Sequence, residues 1–347
     1  MSSYISTSAM TSTLQQSILT AQQNLTNAEL EVSTGTYADI GVQLGETTGQ
    51  DFSLRSEQSL LQTISDTNNM ASTRLSSTQN VLSNLQSSAQ TVLNALISNT
   101  DQNGAATSLQ DVAQNALQSL TEQLNTTVDG QYIFGGINSG QAPITDYYGS
   151  SAANQTAVNN AFSTYFGFSQ SSSSVSSITS AQMSDFLSTQ FSGLFQGANW
   201  TSDWSAASDT TISSQISDAQ TLTTSVSANQ STFQDLAQAY TMVASLGTAN
   251  LSADALQTLV TQATTLVQDG ISGLTNIQTG LGVTQDNITS ANNQMSVQMN
   301  ILTTQIDNLE QVNPYQASTQ VTDLQTQIET SFSLTSQLQK LSLVNYI

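Results

Sequence analysis

This sequence predicts a mainly α, elongated fold: a long-helix coiled coil or bundle with paired N- and C-terminal helices and one small inserted α+β domain. Three observations carry that expectation. Apolar or small residues recur at alternating intervals of three and four along several long stretches, the spacing of a helix seam. Breaks fall at similar depths from the two ends, at the glycine-rich stretch 35–49 and at Asn313-Pro314. Residues 142–210 hold 11 of the chain's 21 aromatics, and a small separate core needs such large side chains to bury enough area.

The first seam is Leu14, Ile18, Ala21, Leu25, Ala28 and Val32. Gly35, Gly41, Gly45 and Gly49 follow, a density that breaks a helix. A longer helix then places Leu61, Ile64, Asn68, Ala71, Leu75, Thr78, Leu82, Leu85, Ala89, Val92 and Leu96 in register. Asn68 and Thr78 are its polar interruptions, which lower stability but can fix register. Beyond DQNGAA, Leu109, Ala113, Ala116, Leu120 and Leu124 mark a shorter helix. Asp129-Gly130 reads as a turn before a strand at Tyr132–Phe134.

Within 142–210 the spacing of Met183, Leu187, Phe191 and Leu194 predicts one helix, and the serine run 171–177 a flexible loop. Helical patterning resumes through Ile216, Leu222, Val226, Phe233, Leu236, Tyr240 and Val243, and Gly247 stops it. Ser252 and Asp254 make an N-cap and first turn, and a seam runs through Ile288, Asn292, Met295, Met299, Leu302, Ile306 and Leu309. Asn313 as N-cap and Pro314 at the first helical position open a last helix, with Val321, Leu324, Ile328, Leu334, Leu338 and Leu341 on its seam. The expected domains are 1–40 with 311–347, a terminal assembly pair; 41–141 with 211–310, a helical rod; and 142–210, an aromatic-cored insert.

Composition excludes whole classes of function. The net charge is −21, with Arg55, Arg74 and Lys340 the three basic residues. Binding to nucleic acid or to an anionic membrane depends on Lys and Arg, so neither is expected. Cysteine and histidine are absent, which removes disulfides, thiolate metal sites and the commonest general base and metal ligand. No cofactor, metal site or catalytic residue is expected. The start, MSSYISTSAM, lacks the basic and apolar regions of a cleaved signal peptide. No apolar run is long enough to span a bilayer.

The remaining candidates read as structure. Asp203 beside Trp200 and Trp204 has the residue types of a sugar site, but a surface acid on an aromatic-cored domain is the better account of it. Glu29 and Glu31 mark a solvated helix face. The glycines at 35–49 lack the strand and lysine of a phosphate loop. Met295 and Met299 are gap-filling core. The two terminal seams, by contrast, have no third helix in sequence to cover them, and isolated helices of this length are marginal in water. Self-assembly follows.

The nested layout resembles the bacterial flagellin family. Three stretches look like its hook–filament junction members more than its filament subunits: VSTGTYADIGVQLG at 32–45, DGQYIFGGINSGQAP at 129–143, and NPYQASTQVTDLQTQIETSFSLTSQLQKLSLVNYI at 313–347. The resemblance implies a non-enzymatic extracellular subunit, exported through the flagellar channel with an export chaperone before secretion. It implies a homo-oligomer meeting a hook-associated protein on one side and flagellin on the other. A filament flagellin is the alternative within the family; a secreted adhesin or glycan-binding protein is the alternative outside it.

Overall fold

The computed structural model describes residues 7–98 and 105–344. The chain divides into two compact units, one drawn from 1–63 and 294–347, the other from 64–293. The sequence places its boundaries instead at 41, 142, 211 and 311. The units part elsewhere because two helices, α3 (Thr48–Ser98) and α9 (Ala253–Glu310), contribute to both. The fold is mainly helical, as expected, with short strands confined to the middle of the chain.

The first unit contains α1 (Thr7–Thr34), α2 (Ile40–Leu44), the start of α3, the end of α9 and α10 (Pro314–Val344). Asp39 caps α2 by accepting the Val42 N–H at 3.0 Å, and Gly45, at φ +49°, ends it. A 3₁₀ turn at Gly45–Thr47 leads straight into α3. The glycine-rich stretch therefore breaks one helix and starts the next, with Gly49 already in the first turn of α3. At the far end, Asn313 accepts the Tyr315 N–H at 3.0 Å, the cap that the Asn-Pro pair predicts.

In the second unit, α3 buries Asn68, Leu75, Leu82, Ala89 and Leu96 at strict heptad spacing. From α9, Val260, Val267, Leu274, Leu281 and Ile288 are buried at the same spacing. Polar pairs flank the seam: Gln86 donates to Thr275 Oγ1 at 3.2 Å and Gln79 to the Gln278 carbonyl at 2.8 Å. Partners recede along α9 as α3 advances, so the two helices are antiparallel. Helices α4 (Ala105–Leu124) and α8 (Ser231–Ser245) pack on each other. Helix α8 also presses on α9 where a Cβ at Gly270 would lie 2.5 Å from Leu236, and one at Gly273 2.2 Å from Thr232. Only glycine permits that approach.

Asp129 (φ 51°) and Gly130 (φ 75°) join β1 (Thr127–Val128) to antiparallel β2 (Gln131–Tyr132). Both left-handed φ values suit a two-residue hairpin turn. Beyond it Gly136 (φ +61°) lets the backbone run against 208–210, where a Cβ would meet the Ser208 carbonyl at 2.5 Å.

Residues 142–210 differ from expectation in three ways. A helix that apolar spacing did not signal, α5 (Ala153–Phe166), precedes α6 (Ser180–Phe186). Helix α6 widens into a π turn at Leu187–Phe191, and α7 (Gly197–Asn199) into another at Trp200–Trp204. The serine run is a 3₁₀ turn at Ser173–Ser177 with Val175 fully buried; Val175 Cγ1 sits where a Cβ at Gly247 would come within 3.1 Å. One apolar anchor is enough to order a run that composition alone reads as loose.

Ile216 and Leu222 also depart from the helical reading. They belong to β3 (Ser213–Ser217) and β4 (Gln220–Thr223), an antiparallel hairpin around Asp218-Ala219. Short Ser/Thr-rich runs with isolated apolar residues suit a half-buried strand, and one Ile and one Leu six residues apart do not define a period.

The aromatics form a chain of ring contacts: Phe162 with Phe186 at 5.7 Å, Phe191 with Phe195 at 5.0 Å, Phe195 with Trp204 at 4.9 Å and Trp204 stacked on Tyr147 at 5.5 Å. Sequence clustering suggests a core local to the insert. The same buried cluster instead runs on into Leu82, Leu120, Leu236, Tyr240 and Leu274. Trp200 and Trp204 are both buried within it, so neither presents a face on which a sugar could stack.

A continuous core makes a joint prediction. Phe186→Ala, which removes contacts to Phe162, Tyr165, Phe166 and Phe191, should cost about 3–5 kcal/mol. In denaturant, near-UV aromatic and far-UV helix signals of the second unit should then fall together at a lower midpoint.

Asp235 on α8 carries a carboxyl raised above its ordinary range, first by burial and then by the charge of Asp269. A raised folded pKa means that the folded state binds the proton more tightly than the unfolded chain. That contribution is full below the unfolded value and is lost as pH rises through the folded one. Asp235→Asn should therefore raise Tm at pH 7, with a difference that shrinks toward pH 3 in calorimetric scans.

Candidate assembly surface

Helices α1 and α10 pack along one another. Near their inner ends the Gly35 carbonyl accepts the Val312 N–H at 2.9 Å, and Thr36 bridges to Gln311. Farther out, an open groove of about 520 Å³ is lined by Gln16, Ser17, Thr20 and Ala21 on one helix and Leu324 and Gln327 on the other. The pair is therefore antiparallel.

Its apolar seam is only partly covered. Ile18, Ala21 and Ala28 of α1 and Ala317 of α10 are buried. Leu14, Leu25, Val321, Leu324 and Ile328 are half-buried. Val32 is 43% exposed, and Glu31 turns inward instead, its Oε1 accepting the Ala38 N–H at 3.1 Å. Glu31 is thus not on the solvated face where its charge alone places it. A strict 3–4 alternation drifts relative to a straight helix, and by the end of α1 the backbone donor decides which side chain turns in. Leu334 is 49% exposed, because the series 317, 321, 324, 328 continues to Ser331 and Thr335, both half-buried. The side chains of Leu338 and Leu341 lie outside the described residues. A second apolar set, including Leu19 (62% exposed) and Leu30, which lie three turns apart, also faces outward.

The inner ends of four helices meet at one ionic knot that sequence spacing did not signal. Arg55 on α3 donates from Nε to Asp51 Oδ2 at 3.2 Å and to Glu310 Oε1 at 3.0 Å, and from its terminal nitrogen to Glu310. Both carboxylates are buried while the guanidinium is partly exposed. The Glu310 hydrogen bond, reinforced by the charges of Glu310 and Asp51 and opposed by partial burial, holds the Arg55 pKa above its ordinary value. The Glu310 carbonyl accepts the Tyr37 N–H at 3.0 Å, which ties the α1–α2 link to the α9–α10 corner. The signal lay in the rarity of the cation: one of three in the chain sits one helical turn beyond Asp51.

Among the described residues no three His, Cys, Asp or Glu converge to hold a metal. Asp203 accepts from its neighbour Ser202 at 2.8 Å and pairs with no second carboxylate among the bonds described. No described helix is long and apolar enough to cross a membrane. This surface presents apolar seams half open to water, framed by uncharged hydroxyls and amides.

Comparison with known proteins agrees with this character. Residues 5–139 match the family profile for the bacterial flagellin N-terminal helical region. Residues 264–347 match that for the bacterial flagellin C-terminal helical region. No curated protein matches the chain.

Removing the knot's cation has a defined consequence. Arg55→Leu leaves two buried carboxylates without their donor, which should cost about 1–3 kcal/mol. Hydrogen exchange should accelerate first in 35–38 and 310–313, ahead of the middle of the chain.

Proposed function

This chain belongs to the bacterial flagellin family, whose members are structural, extracellular subunits of the flagellum rather than enzymes, and we propose that it is the subunit joining hook to filament. The assembly mechanism rests on one observation: the α1–α10 pair leaves Leu14, Leu25, Val321, Leu324 and Ile328 half open to water. The α1–α10 pair leaves these positions part-covered, and helices of neighbouring copies can complete their cover. Completing it removes apolar area from water at roughly 25 cal/mol per Å².

The junction position rests on the three stretches at 32–45, 129–143 and 313–347. In this reading one end of an oligomer of identical subunits receives a hook-associated protein and the other receives flagellin. The terminal assembly pair and the rod keep the roles expected from sequence, while the insert at 142–210 shares its aromatic core with rod helices. An export chaperone shields the seams before secretion.

The decisive experiment deletes the gene and images the flagella. Hooks without filaments, restored by the wild-type chain and labelled by antibody only at the hook–filament boundary, support the junction role. Labelling along the whole filament identifies a filament flagellin instead.

Leu324→Asp and Ile328→Asp should each abolish incorporation. A carboxylate placed in the seam must be desolvated, and about 1.4 kcal/mol per contact already weakens association tenfold. Secreted mutant should keep the native near-UV spectrum of Trp200 and Trp204, whose burial lies in the other unit. Normal swimming by either mutant removes the seam model.

A further inference from the structure

The heptad pattern of α3 and α9 raises a problem that the apolar seam does not solve. Leu75, Leu82, Ala89 and Leu96 on one helix, and Val267, Leu274, Leu281 and Ile288 on the other, repeat every seven residues. A slip of one heptad during folding would place one aliphatic layer on another. The flanking pairs Gln86–Thr275 and Gln285–Ser76 are exposed, and water replaces them at little cost.

Asn68 is the exception. It occupies a seam position, is 0% exposed, and uses both hydrogens of one amide nitrogen. One goes to Asn292 Oδ1 on α9 at 2.8 Å, and the other to the Ile216 carbonyl at 2.9 Å. Asn292 in turn donates to Asn69 Oδ1 at 3.3 Å. Ile216 is available because the β3–β4 ladder is irregular there: Gln215 pairs with Thr221 and Ser217 with Gln220, which leaves Ile216 between them without a cross-strand partner. Ile216 is also the one buried side chain of the two strands. The hairpin is thus held to the core by the buried side chain and the carbonyl of Ile216, with half-buried Leu222 packed beside them, and a lone two-stranded hairpin has little stability of its own.

We propose that Asn68 is the positioning residue that selects the register of α3 against α9 and fastens the β3–β4 hairpin across the chosen register. A one-heptad slip toward Met299 would set the Asn68 amide against a thioether in place of the Asn292 amide and would move it away from the Ile216 carbonyl. Burying an amide without partners is unfavourable enough to discriminate between registers that aliphatic layers cannot.

The test uses the full chain, whose lack of cysteine makes engineered pairs unambiguous. Gln86→Cys with Thr275→Cys reports the native register, and Gln86→Cys with Gly282→Cys the one-heptad slip that sets Asn68 against Met299. Asn68→Leu should keep the helix content. After refolding it should form the slipped cross-link alongside the native one, and the ladder amides of 213–223 should exchange at least tenfold faster. Only the native cross-link, with or without a loosened hairpin, overturns the register assignment; unchanged hairpin exchange overturns the fastening. If Asn68→Leu does not fold, Asn68→Ala is compared with Leu75→Ala, a seam cavity that spares the hairpin. Selective loss of hairpin protection in Asn68→Ala supports the assignment, and equal loss in both overturns it.

Discussion

The shielding of an apolar layer at every heptad of α3 and α9 is the constraint from which the rest of the structure follows. In the second unit that requirement keeps both helices continuous, and it holds α9 helical through Gly270, Gly273, Gly280 and Gly282. A glycine inside a helix costs up to about 1 kcal/mol, less than the about 1.5–3 kcal/mol from each fully buried Leu or Ile beside it. Two of those glycines are also what admit α8 to the surface of α9. In the first unit the same pattern, at Leu61, Met295, Leu302 and Ile306, brings the helix ends to the Arg55 knot.

The exterior is organised by a different economy of polar groups. Thr13, Thr20 and Thr26 on α1, and Thr319, Thr322, Thr326 and Thr330 on α10, donate to the carbonyl four residues back. A hydroxyl already satisfied by its own helix is cheaper to cover than an ion. Residues 7–28 carry no charge at all. Such a surface suits helices whose neighbours are other copies of the same chain, and the acidity of the rest opposes premature contact by mutual repulsion.

Long periodic stretches were legible because their signal is redundant: six to eleven positions support each seam. The caps at Asn313 and Ser252 and the Asp129-Gly130 turn were legible because each rests on one local bond or one backbone angle. The 213–223 hairpin, helix α5 and the ordered serine run were not, since each is too short or too evenly polar to show a period. Their contacts reach residues distant in sequence, as where the Asn68 amide meets the Ile216 carbonyl and Val175 lies against Gly247.

Of the assembly surface, the buried Ile18, Ala21 and Ala28 followed from spacing, whereas Val32 and Leu334 stand outward because a backbone N–H draws in Glu31 and because the heptad passes through Ser331 and Thr335. Sequence by itself determined the class of the fold, the nested order of helices and the absence of His- and Cys-based chemistry, because periodicity and composition are properties of the chain alone. Tertiary structure decided where the units divide, that the aromatics share one core with the helices, and that Arg55 joins Asp51 to Glu310 across 255 residues. Those depend on contacts between segments distant in sequence, and no local pattern encodes which distant partner a side chain will meet.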